Sequence, residues 1–267
     1  MLSKLISHEA KSMGRLLLPV FGALLILAAL ARTMEAVCMS WQGAAPLWLS
    51  IPSVLLLIGA FLCAVFLVAA SFWLSVLHFY RMLGEEGYLL FSVPATISQQ
   101  IWAKLLSALV WTLVSLGVLE GCIWALVLQP MNMIEEVRNS MSPTWAEGWV
   151  PLYLVMLAVM MVLSILGAFL YAYMCCAVGM QFGANRLPAT LIVYFGLPVV
   201  LQIVTLIAMV LVGVVLAATG VFAAMTQMSP KLLYAGLLAV LTIVMLIGNV
   251  VCYAITSYLM KNRLNLA

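Results

Sequence analysis

Six apolar runs, at about 16–31, 49–77, 101–128, 149–177, 189–217 and 232–260, decide what this chain can become. A helix of about 20 apolar residues crosses the hydrocarbon core of a bilayer. The runs therefore read as six transmembrane helices. Of the 267 residues, 67% are apolar and only 7% are charged, against about 25% charged in an ordinary soluble domain. Such a chain has too little polar surface to cover itself in water. That excludes a soluble globular enzyme, a disordered chain and a disulfide-stapled secreted module. A net charge of +3 over 11 Lys and Arg makes no phosphate-tracking patch, so nucleic acid is excluded as a partner. The fold class expected is an all-α membrane protein whose solvent is the lipid bilayer.

Six spans put both termini on the same side, and the basic residues choose that side. With the N-terminus inside, Lys4, Lys11, Arg15, Arg81, Lys104, Arg186, Lys261 and Arg263 are cytoplasmic. Arg32, Arg138 and Lys231 are external. The bias predicts an N-in, C-in, multi-pass protein of the cell (cytoplasmic) membrane. Tryptophan agrees: Trp41, Trp48, Trp124, Trp145 and Trp149 all fall near the outer boundary, where a ring that is apolar with one N–H is best placed. The first run is read as an uncleaved helix and not as a signal peptide, because many apolar segments follow it. The two halves differ in loop length and proline position, so no inverted repeat is read.

Residues 1–15 precede the first run and read differently. On a helical wheel, Lys4, His8, Lys11 and Arg15 share one stripe, and Leu2, Leu5, Ile6, Met13 and Leu16 lie opposite. This is an amphipathic helix suited to the headgroups of a negatively charged leaflet. The domain reading is thus an interfacial helix over 1–15 and one six-helix domain over 16–267. Glu9 projects near the middle of the apolar side. Either the helix frays and Glu9 reaches water, or Glu9 pairs with a base such as Lys104 or Arg186, as ionisable groups in apolar surroundings do.

Catalytic and metal motifs are missing. The chain has no Asp, its histidines are His8 and His78, and there is no Cys-x-x-Cys pair. No phosphate-binding Gly-rich loop with Lys-Ser/Thr occurs, so no nucleotide hydrolysis of that kind is expected here. No catalytic residues, metal ligands or bound cofactor are read, and the chain is not expected to be an enzyme. Cys38 is read as lying in a loop, the other cysteines as packing residues. The segment 78–100 is the longest inner connector. In it Gly84 and Gly87 bracket Glu85 and Glu86, and an apolar patch, Tyr88, Leu89, Leu90 and Phe91, precedes Pro94. Such a patch behind an acidic leader can dock a soluble partner, or it can dip into the interface. Thr96 and Gln99 have capping-box spacing, which starts the next helix near Ile97.

Glu120 sits in the third run, some 8 residues, about 12 Å, below its outer end. As an intramembrane carboxylate it is a functional-site candidate, with Arg32, Arg138 and Lys231 as candidate partners; the alternatives are structural pairing or snorkelling outward. Gln202 and Asn249 either hydrogen-bond between helices or line a substrate path. Small pairs such as Ala60/Ala64 and Gly213/Ala217 suit close helix packing.

The organisation resembles the permease subunits of bacterial ABC-type exporters, of the antibiotic and bacteriocin class with the ABCG-like fold. The strings that carry the resemblance are His8-Glu9-Ala10-Lys11, Gly14-Arg15-Leu16-Leu17-Leu18-Pro19, the run from Phe79 to Pro94, and Lys104-Leu105-Leu106. The resemblance implies that 1–15 is a connecting helix along the inner leaflet. It implies that Leu83, Gly84, Glu85, Glu86, Gly87, Tyr88, Leu89, Leu90 and Phe91 form a coupling helix seated in a groove of a separate cytoplasmic P-loop ATPase. Arg186, in the loop 178–188, would be a second cytoplasmic contact. ATP and Mg would sit on that partner, and a second permease chain, identical or related, would complete the transporter. The alternative is a non-transporting membrane immunity or scaffold protein.

Overall fold

A computed structural model describes residues 2–41, 46–84, 96–128, 150–182, 185–220 and 229–262. These residues are helical almost throughout. The helices are α1 (Leu2–Ser40), α2 (Leu47–Leu83), α3 (Ile97–Ile123), α4 (Val150–Gly179), α5 (Arg186–Ala218) and α6 (Pro230–Asn262). A π-helical turn, Trp124–Leu128, extends α3. Each of the six carries an apolar stretch, 30 to 37 residues long, sufficient to cross a membrane, so the chain is a multi-pass membrane protein by length and composition. α3 begins at Ile97, directly after Thr96.

One expectation changes in α1. The helix is continuous through Arg15 and Leu16. At 1.5 Å per residue its 39 residues reach roughly 58 Å, well beyond a hydrocarbon core of about 30 Å. Its other end also runs further than hydropathy implies. Cys38, expected in a loop, lies in the last turn of α1, with its thiol 3.7 Å from the Leu49 carbonyl. Local bonds hold this polar turn in helix. Arg32 donates to Glu35 at 3.0 Å, Thr33 to the Leu30 carbonyl at 2.9 Å and Ser40 to the Val37 carbonyl at 2.8 Å.

The chain divides into two compact units, Met1–His78 with Ser98–Gly148, and Phe79–Ile97 with Trp149–Ala267. The boundary falls inside α2. In the first unit, Leu17, Phe21 and Leu24 of α1 pack with Ala60, Ala64 and Leu67 of α2 and with Cys122 and Leu126. Ala60 and Ala64 are fully buried. Small side chains at these two positions leave room for a neighbouring helix to pack, and such dispersion contacts are the main attraction available within lipid. Trp41 and Trp48 meet edge to face, centroids 6.4 Å apart, where α1 gives way to α2.

In the second unit α4 is central and packs against both α5 and α6. Gly179 permits the α4–α5 approach: a Cβ there would lie 2.8 Å from the Thr190 backbone. α5 changes character at Pro198. From that residue to Val215 its side chains are exposed on every side. A helix exposed all round and apolar but for Gln202 and Thr205 is stable in lipid and not in water. Gly220, at φ 69°, takes the left-handed conformation beyond its end.

Candidate functional site

The segment assigned to partner docking begins where α2 ends. Leu83 and Gly84 are described; Glu85, Glu86, Gly87, Tyr88, Leu89, Leu90 and Phe91 lie outside the described residues. The exit of α2 is firmly held in the second unit. Phe79 stacks on Tyr173 of α4, centroids 3.9 Å apart and planes 13° apart, and both rings are fully buried. A stacked aromatic pair adds about 0.5–1.5 kcal/mol beyond its area. Met82 and Leu83 are buried beside it. The Gly84 N–H closes the helix on the Tyr80 carbonyl at 3.1 Å. A Cβ on Gly84 would meet the Met180 methyl at 3.4 Å, ordinary contact.

A second cluster ties the start of α1 to α3. Glu9, Ala10, Met13 and Gly14 lie on one face of α1, at the i, i+4 spacing of a helix. Lys104 of α3 donates to Glu9 at 2.9 Å, with 10% and 20% of the two side chains exposed. The Trp111 indole N–H donates to the Ala10 carbonyl at 3.0 Å. Gly14 is required at this point, since a Cβ there would stand 2.7 Å from the indole ring. Ser107 and Ser75 approach the Met13 sulfur at 3.9 and 4.0 Å. Ser12 and His78 Nε2 are 3.5 Å apart. Of the two partners considered for Glu9, the structure brings Lys104 to it.

Arg186 is the first residue of α5 and is half-buried. A cation there opposes the helix dipole, so its position is not explained by helix stability. Its carbonyl accepts the Thr190 hydroxyl at 2.9 Å.

Glu120 is exposed on α3 and has no hydrogen-bond or ion-pair partner among the described residues. Arg32, one candidate partner, bonds its helical neighbour Glu35 instead. Local i, i+3 geometry costs less ordering than a long-range pair. Arg138 lies outside the described residues.

The two polar residues of the late spans separate. The Asn249 amide of α6 donates to the Leu163 carbonyl of α4 at 2.9 Å. Gly167 opens the space for it, since a Cβ there would reach within 2.5 Å of the amide oxygen. Asn249 is therefore a helix-to-helix tie. Asn249→Ala is expected to lower stability by roughly 0.6 kcal/mol, up to about 1.7, the range of such bonds in lipid. Thermal unfolding in detergent checks this. An unchanged midpoint together with altered substrate handling would return Asn249 to a path. Gln202 is exposed and lines a shallow groove with Tyr171, Pro198, Leu201 and Thr205.

One feature escaped sequence reading. The Tyr171 hydroxyl of α4 donates to the Tyr194 carbonyl of α5 at 2.9 Å. Tyr194 is four residues before Pro198, which has no N–H to give it. The hydroxyl takes the place of the missing helical donor. Pro198 inside an apolar run was the available signal.

Among the described residues no three His, Cys, Asp or Glu side chains gather as metal ligands. Compared with known proteins, the chain matches no family model, no curated protein and no solved structure.

Proposed function

We propose that this chain is the membrane-spanning permease subunit of an ATP-driven exporter in the bacterial cytoplasmic membrane. A separate P-loop ATPase grips it through residues 78–100. The observation that supports the reading is the clamped exit of α2. Phe79, Met82 and Leu83 are packed immediately before the docking segment, and Phe79 is stacked on Tyr173. A push on residues 84–91 is then passed into α4 and not lost in slack chain. The orientation is N-in, C-in, following the eight inner against three outer basic residues. Residues 2–15 stand at the inner surface, and Arg186 is a second contact for the ATPase.

ATP and Mg belong to the partner. Nucleotide binding moves the spans only if the ATPase binds one arrangement of the permease better than another. A second permease chain, identical or related, completes the path, and the bare half of α5 beyond Pro198 is shared between it and lipid.

The test is reconstitution with the P-loop ATPase that co-purifies with the tagged chain from its own membranes. Replacing residues 84–91 with a Gly/Ser linker is expected to return ATPase activity to its permease-free level while helicity and unfolding midpoint stay unchanged. Glu85, Glu86 or Tyr88 substitutions should act in the same direction. Stimulation retained by the linker variant would overturn the coupling assignment. Absence of any co-purifying P-loop ATPase would favour an immunity or scaffold protein.

A further inference from the structure

We infer that the groove between the start of α1 and Trp111 of α3 is a binding site for one anionic phospholipid. The groove is open-sided, about 420 Å³, and lined by Ser7, Lys11, Gly14, Arg15, Leu18 and Trp111 along with Ala10. Its volume falls in the range of small-molecule sites, about 300–1,000 Å³.

The lining changes character along the helix. Ser7, Lys11, Arg15 and Leu18 follow one another at helical spacing, so hydroxyl, ammonium, guanidinium and alkyl groups form a single stripe. Ser7, Lys11 and Arg15 are exposed, and none of their side chains has a partner among the described residues. Lys11 and Arg15 are one turn, about 6 Å, apart. Two cations and a hydroxyl at that spacing match a phosphodiester, which accepts several charge-assisted bonds.

The apolar end points to a lipid and away from a free anion. Leu18 is 61% exposed, and the apolar run of α1 starts at Leu16. A phosphate held by Lys11 and Arg15 would therefore sit at the membrane surface, with an acyl chain laid along Leu18 and the indole. The wall is built in place. Trp111 is fixed by its N–H bond to the Ala10 carbonyl at 3.0 Å, and Gly14 lets the ring lie against the α1 backbone. A basic groove between spans, level with the headgroups, is suited to an anionic lipid.

Native mass spectrometry of the full chain in mild detergent tests this, using equimolar phosphatidylglycerol and phosphatidylcholine of the same acyl chains. Each cation near an anionic headgroup strengthens binding roughly fivefold, so with two of them the first bound lipid should be phosphatidylglycerol by about 25-fold. K11Q/R15Q should bring the two lipids to near parity. The charge-matched control R81Q/K261Q, at two positions that do not line the groove, should leave the preference intact. Equal retention of both lipids by the unaltered chain, or an unchanged preference in K11Q/R15Q, would overturn the site. Full displacement by inorganic phosphate at ordinary buffer concentration would overturn its lipid character by showing that the acyl chain adds nothing.

Discussion

Lys104→Met is expected to destabilise the chain more than Glu9→Leu and Lys104→Met made together. Removing one partner of a buried ion pair costs about 3–5 kcal/mol, because the other charge is left buried and uncompensated. Here Lys104 is 10% exposed and Glu9 is 20% exposed, so the lower part of that range applies. Met13, one turn on from Glu9 on the same face of α1, takes up the Ser75 and Ser107 hydroxyls, and the Ser107 hydroxyl also donates to the Lys104 carbonyl at 3.1 Å. Apolar replacements at both positions remove the charges and the desolvation penalty with them, so the double variant should lie within about 1 kcal/mol of the native chain. Exchanging the pair, Glu9→Lys with Lys104→Glu, should recover part of the loss from either single change. Thermal unfolding of the full chain in detergent, run as a double-mutant cycle, reads the coupling directly. Additive single costs would show that the 2.9 Å contact contributes nothing specific.

That pair also shows how far sequence reading reaches. Hydropathy and the helical wheel place Glu9 on an apolar face, and burial of an ionisable group requires a partner. Both Lys104 and Arg186 satisfy that requirement, since a one-dimensional pattern records which face is apolar and not what covers it. The six spans are legible for a stronger reason. Crossing length and apolarity are properties of a segment by itself, and each helix begins or ends near the limits that hydropathy draws, the two ends of α1 excepted. The last turn of α1 is hidden because its helix is held by Arg32–Glu35 and by the back-bonds of Thr33 and Ser40. These interactions make no mark on an apolarity profile. Continuity through Arg15 is hidden because an amphipathic stretch looks the same whether lipid or other helices cover its apolar side. Asn249 and Gln202 are equivalent in sequence. The cavity left by Gly167 on another helix makes one of them a tie, and no spacing along the chain connects those two positions.

Tyr171→Phe should cost about 2–4 kcal/mol, a large effect for the loss of one hydroxyl. The Tyr194 carbonyl lies in an apolar span where water does not compensate, and an unsatisfied backbone group there costs several kcal/mol. Pro198 creates the need by removing the N–H that would otherwise close on residue 194. The two substitutions are therefore not independent. Pro198→Ala restores a backbone donor, so by itself it should be close to neutral, and in its presence Tyr171→Phe should become nearly silent. The phenol ring still packs against Tyr194, centroids 5.6 Å apart, and phenylalanine keeps that contact, so the difference isolates the hydroxyl. Unfolding midpoints of the native chain, the two single variants and the double variant give the coupling. Hydrogen exchange at residues 197–202 gives its location, since the bond anchors α5 at the point where the helix leaves α4. A Tyr171→Phe cost that is the same with and without Pro198→Ala would mean that the hydroxyl does not replace the proline's missing donor. Suppression of the cost by Pro198→Ala would make Tyr171 the residue that lets an apolar span carry a proline at its middle.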